Sequence, residues 1–241
     1  MLAFKFQNRA LIWEALTHPS WQRDNTTGSY QRLEFLGDAV LDFLVSKNLY
    51  NRHPKLAEGQ MTELRAATVN ADFLAFLCME LTLTEPRCSK PSSILDDFET
   101  SILSKNTSLW MFMRHDAPEI IKSQASCSER YRILRDKIKR NLDNDVSYPW
   151  ATLAQLAPPK FYSDIIESTI GAIFIDSGGC IDACEQFLER INLIAYLERF
   201  AGQKEWTRDS VAVTIHTSAV RAVAALVGRH VPIRRRFRKR D

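Results

Sequence analysis

Residues 31–50, QRLEFLGDAVLDFLVSKNLY, constrain this chain most. They form a helix-length run whose apolar positions (Leu33, Phe35, Leu36, Ala39, Val40, Leu41, Phe43, Leu44, Val45) leave almost no polar face. A helix apolar nearly all round is expected at the centre of a fold, contacted from several sides. Yet this run holds Glu34 and Asp38 one helical turn apart on one face, with Asp42 a turn further on. Left unpaired in a core, such carboxylates would cost several kcal/mol each, so they either face water or meet a cation. A second segment repeats the pattern. Residues 161–176, FYSDIIESTIGAIFID, follow the breaker pair Pro158 and Pro159, end before Gly178 and Gly179, and set Asp164 and Glu167 at i and i+3 among isoleucines.

Around these two segments the chain reads as all-α. Gly and Pro are sparse, at 8 and 9 residues, and no alternating apolar run is flanked by hairpin signals. Helices are expected to start near 8, 31, 61, 95, 129, 161 and 182. The stretch from about 85 to 157 is less hydrophobic and carries its own amphipathic piece, ERYRILRDKIKRNL, so it is expected as an insertion, partly helical and partly loop. At 241 residues, 45% hydrophobic, the chain is long enough to bury roughly 70% of its unfolded surface in one core. One domain over 1–200 with a tail over 201–241 is the expected organisation.

No stretch reaches about 18 uninterrupted apolar residues, and the opening MLAFKFQNRALIWEALTHPSW lacks the parts of a secretory signal, so no membrane segment is expected. Cysteines at 78, 88, 127, 180 and 184 are odd in number and form no C-x-x-C pair. Reduced thiols in an intracellular protein, cytoplasmic or nuclear, fit that better than a disulfide framework. Residues 1–200 hold 22 Lys+Arg against 26 Asp+Glu, whereas 201–241 hold 10 against 3. The basic end, Arg234, Arg235, Arg236, Arg238, Lys239 and Arg240, suits a phosphate backbone or a nuclear address as well as it suits a solvated terminus.

If the two acidic helices pack together, Glu34, Asp38, Asp164 and Glu167 converge, and a divalent cation relieves their repulsion. An all-oxygen shell suits Mg²⁺ at ~2.1 Å. Metal held this way orients and deprotonates water for attack on a phosphodiester, alone or as a pair ~4 Å apart. Spacing alone favours this no more than it favours solvated or capped acids, since Asp164 is also well placed in the first turn of its helix.

The segment YQRLEFLGDAVLDFLVSKNLY (30–50) resembles the signature helix of ribonuclease III, and PKFYSDIIESTIGAIFIDSGG (159–179) is similar to the second acidic helix of that family. FKFQNRALIWEALTHPSW (4–21) and EGQMTELRAATVNADFLA (58–75) resemble two further family blocks, in the same order. The resemblance covers most of residues 4–200. It implies the ribonuclease III helical fold and assigns Glu34, Asp38, Asp164 and Glu167 as catalytic metal ligands for Mg²⁺, with Mn²⁺ able to substitute. Gln31, where bacterial members usually carry an acid, and the separation of 126 residues from Asp38 to Asp164 resemble the second, C-terminal ribonuclease III domain of fungal Dicer-like proteins. Lys160 stands at a lysine position common in Dicer-type domains, near the scissile phosphate, although a surface lysine opening a helix is an equal reading.

The implied activity is Mg²⁺-dependent hydrolysis of double-stranded RNA, leaving 5′-phosphates, in RNA processing or silencing. RNA would be recognised by A-form shape and 2′-hydroxyls. The implied assembly is a homodimer or a pairing with another ribonuclease III domain across the signature helix, with Phe35, Leu36 and Leu41 as candidate face residues. The alternatives are a non-catalytic scaffold module and a half-dimer that needs a partner nuclease domain. Only 41 residues follow Phe200, too few for the usual double-stranded RNA-binding domain, and SAVRAVAALVGRHV (218–231) is expected as an amphipathic helix or a remnant of one. A short paralogue and a piece of a longer Dicer both fit these bounds.

Overall fold

The computed structural model describes residues 2, 4–23, 27–83, 107–144 and 148–202. They belong to one compact unit, Met1–Lys204. The helix expected near 95, the helix at 218–231 and the basic residues from Arg234 to Arg240 lie outside the described residues.

Helix α1 (Arg9–Ala15) starts at Asn8, whose side chain accepts from the Ala10 amide. A turn leads to α2 (Gln31–Arg52), then α3 (Glu58–Thr68) and α4 (Ala71–Glu80). The sequence reads 58–75 as one block, but Asn70 divides it. Its side chain accepts from the amides of Asp72 and Phe73 and opens a new helix, so capping is its role here. Two short strands, β1 (Thr82–Leu83) and β2 (Thr107–Ser108), pair antiparallel with Thr82 opposite Ser108. Then come α5 (Pro118–Asn144), α6 (Trp150–Leu156), α7 (Phe161–Asp176), α8 (Ile181–Arg190) and α9 (Leu193–Ala201).

Helix α7 is the axis of the fold. From Phe161 to Ile173 every residue but Glu167 is buried, and α1, α2, α4 and α8 pack around it. It ends where Gly178 and Gly179 take φ of 68° and 89°, a conformation costly for other residues, and the Gly179 amide returns to the Phe174 carbonyl. Its last residue, Asp176, accepts from the amides of Gln7 and Asn8 and ties the start of the chain to this end.

Three expectations are corrected. Helix α2 is not surrounded: Leu33, Val40, Leu41, Leu44 and Val45 are buried, but Phe35 is 83% exposed, and Ala39 and Phe43 continue its exposed line at four-residue spacing. Leu41, expected on an outer face, is fully buried. The amphipathic helix expected from 129 begins eleven residues earlier, at Pro118, a residue suited to a first helical position. That helix is bound into the core by Cys127, Ile138 and Leu142. The Arg130 guanidinium donates to the Leu156 and Ala157 carbonyls at the end of α6, and Tyr131 and Arg135 both donate to Glu80.

Candidate metal centre between two acidic helices

The site exists because α2 and α7 touch backbone to backbone. A Cβ on Gly37 would lie 1.7 Å from the Glu167 carbonyl oxygen, and one on Gly171 would lie 2.2 Å from that of Leu33. Only glycine at both positions permits that approach. Glu34 sits one turn before Gly37, and Glu167 one turn before Gly171, so the close approach brings the two acidic pairs face to face.

Glu34, Asp164 and Glu167 each offer a carboxylate oxygen within 4.8 Å of the others. Asp38 stands outside that tight group. It is exposed, yet it lines the same cleft as Gln31, Glu34, Phe35, Lys160 and Glu167. Asp164 is 3% exposed and is fastened twice: the Tyr30 hydroxyl donates to its Oδ2 at 3.0 Å, and the Lys160 ammonium donates to its Oδ1. Lys160 also donates to Glu34 Oε1 at 2.5 Å, so one ammonium bridges acids from both helices. A second recess, which shares Gln31, Glu34 and Lys160 with this cleft, is lined by His18, Pro19, Tyr30, Phe161 and Asp164.

The charges respond to one another. Burial, and then the Asp38 and Asp164 carboxylates, push Glu167 up to about 8. Asp38, though exposed, is raised by the partial desolvation of its carboxyl in the cleft, then by Asp42 and Glu34. Asp164 is raised by burial, against the opposing hydrogen bond from Lys160. Burial works against the Lys160 ammonium, but its bonds to Asp164 and Glu34 outweigh that and hold it well above the usual lysine range. Burial and the Asp164 charge keep the Tyr30 phenol protonated, so it is the donor in that bond. Crowded, raised carboxylates with an all-oxygen donor set fit a hard divalent cation.

Sequence reasoning missed Tyr30 and the glycine pair. Tyr30 opens the 30–50 block one turn before Glu34, and that spacing was the available signal. Two further polar residues of the matched blocks have structural partners: Arg65 donates to Ser46 of α2, and Asp176 holds the Gln7 and Asn8 amides.

Residues 31–178 match the family model described as "Ribonuclease III domain". The chain belongs to the ribonuclease III family. Both helices of the site lie inside the matched span. Among relatives of this ribonuclease III domain, Dicer-like protein 2 of Neosartorya fischeri is 43% identical over 203 residues, covering 84% of this chain and 15% of the relative. Dicer-like protein 2-1 of Aspergillus niger is 44% identical over 198 residues, covering 82% and 14%. The chain therefore spans a small share of the length of these curated relatives. Among solved structures, the nuclease domain of ribonuclease III from Campylobacter jejuni is 25% identical with a TM-score of 0.49, covering 79% of this chain and 91% of that one.

Proposed function

We propose that this ribonuclease III domain is a divalent-metal-dependent endoribonuclease that hydrolyses phosphodiester bonds of double-stranded RNA and leaves 5′-phosphates. The observation that carries this reading is the convergence of Glu34, Asp164 and Glu167 from two helices whose backbones touch, with Asp38 on the rim of the same cleft. Glu34, Asp38, Asp164 and Glu167 would hold Mg²⁺, or Mn²⁺ in its place. When bound, the ion activates water and neutralises charge on the departing oxygen. The chain's own part is to hold acids rigidly. The side chain of Lys160 is 68% exposed, so an ammonium exchanging its two acids for a cation has room to turn toward a phosphate entering the cleft.

The exposed line of Phe35, Ala39 and Phe43 runs along α2 beside this cleft. It fits a second ribonuclease III domain, from another copy of the chain or from another protein, which would set two such clefts side by side. A half-dimer that cuts only beside a partner is the second reading, and the same exposed line favours it. A pure scaffold gains nothing from mutually repelling acids held this close. Similarity to Dicer-like protein 2 supports a Dicer-like role in RNA silencing, and Gln31 with the long separation of the two acidic helices supports a place as the second nuclease domain of such a protein. The nuclease would occupy 1–200, with the basic tail from Arg234 to Arg240 as an added contact for RNA. An intracellular setting, cytoplasmic or nuclear, fits the free thiols of Cys78, Cys127, Cys180 and Cys184.

The test is cleavage of labelled double-stranded RNA by the full chain in Mg²⁺, beside Ca²⁺ and beside Glu167→Gln. Wild type alone should cut, and only in Mg²⁺ or Mn²⁺. Equal products from wild type and variant would overturn the site. No cleavage by wild type, restored by adding a second ribonuclease III domain, would establish the half-dimer.

A further inference from the structure

Asp164 is the most buried of the acids, and its two oxygens have different keepers. Oδ1 is held by Lys160, a long amine that is mostly exposed and able to leave. Oδ2 is held by Tyr30, which cannot leave. The Tyr30 residue is 5% exposed, and its ring meets His18 edge to face with centroids 5.8 Å apart. Its amide donates to the Thr17 carbonyl at 2.9 Å, and its carbonyl accepts from the Glu34 amide at 2.8 Å. Tyr30 is thus pinned at ring and backbone, at the very start of the helix that carries Glu34 and Asp38. Its hydroxyl is a fixed point to which the Asp164 carboxylate must come.

We propose that Tyr30 is a positioning residue of the metal centre: its hydroxyl anchors Asp164 Oδ2 and leaves Oδ1 as the single oxygen that Asp164 turns toward Glu34, Glu167 and a bound divalent cation. This rests on the reading of the acidic cluster as a metal site. Partners that orient a ligating carboxylate typically govern affinity by 10- to 100-fold. The bond joins the start of α2 to α7 without a cation, so the arrangement of Asp164 precedes loading.

The test is Mn²⁺ binding by the full chain, followed by electron paramagnetic resonance and calorimetry, for wild type, Tyr30→Phe and Ser168→Ala. Ser168 is the control because its buried hydroxyl on α7 donates to the Ala15 carbonyl at 2.8 Å, so the variant loses a buried hydrogen bond of the same helix without touching an acid. Tyr30→Phe should weaken Mn²⁺ binding about 10-fold or more, while Ser168→Ala binds as wild type though it melts earlier. Unchanged binding by Tyr30→Phe, or equal weakening by Ser168→Ala, would overturn the role of Tyr30 and leave the metal centre standing. Failure of Tyr30→Phe to fold would reduce Tyr30 to a purely structural residue. A wild type that binds no Mn²⁺ would overturn the metal centre itself, and this role with it.

Discussion

Gly37 of α2 and Gly171 of α7 lie against one another, a Cβ on Gly37 falling 2.9 Å from the Gly171 amide nitrogen. Each glycine costs its helix about 1 kcal/mol against alanine, and in return the two acidic helices close to backbone contact. The carboxylate geometry follows from that contact.

Gly37→Ala gains helix propensity but places a methyl where the Glu167 carbonyl already is. Neither backbone can yield without moving a helix, so the overpacking cost of about 1–3 kcal/mol or more prevails. Thermal unfolding should come several degrees earlier, and Mn²⁺ binding should weaken in step as Glu34 moves from Glu167. Gly171→Ala should do the same through Leu33. A variant with wild-type melting and wild-type Mn²⁺ affinity would show that the contact is looser than this.

Glu167 sets a pH dependence. Its folded carboxyl is raised to about 8 from the ordinary 4.5, so between those values the folded state keeps a proton that the unfolded state releases. Stability of the metal-free protein from this group is therefore full below 4.5, falls as pH rises, and levels above about 8. Since a ligand must first lose that proton, Mn²⁺ affinity should rise about tenfold per pH unit up to pH 8 and then flatten. Glu167→Gln should remove the share of the downward slope that this carboxyl contributes, most of all between pH 5 and 8. Melting and calorimetry across pH 5–9 check both halves.

Lys160 supplies the positive charge between Glu34 and Asp164 when no other cation is present. Lys160→Met should lower the melting temperature of the metal-free protein, and added Mg²⁺ should raise it by more than it does in wild type. Cleavage should fall by roughly 10² at saturating Mg²⁺ if, as proposed, the ammonium turns to an entering phosphate. Equal Mg²⁺-induced shifts in the two proteins would place the lysine outside the charge balance.

Phe35 and Phe43 expose large rings on α2 without supporting the monomer. Phe35→Asp should leave melting at low protein concentration within about 0.5 kcal/mol of wild type. Light scattering after size exclusion should show wild type associating and the variant monomeric. Identical masses would leave the exposed line without a partner of its own kind.

The site acids were legible because carboxylates inside apolar helical runs are conspicuous at i, i+3 and i+4. Their neighbours were not. Gly37 and Gly171 look like weak points in a helix until the facing backbone is known, and Tyr30 has no chemistry of its own until Asp164 arrives from 134 residues away. Burial was over-read for α2, because apolar periodicity cannot distinguish a core from an outer face awaiting a partner. The start of α5 is faint in the sequence because Ser, Gln and Lys interrupt the apolar pattern of its first turns, although Pro118 and Glu119 are an N-terminal signal.

Asp176 grips the amides of Gln7 and Asn8 across 169 and 168 residues, and Lys160, Asp164 and Glu167 complete what Glu34 and Asp38 begin. A nascent chain that has emerged only as far as Pro159 carries two of the four carboxylates but neither Lys160, which bridges the acids, nor Asp176, which anchors its first helix. Order of synthesis thus keeps the centre in separate halves until almost the whole nuclease unit has been made.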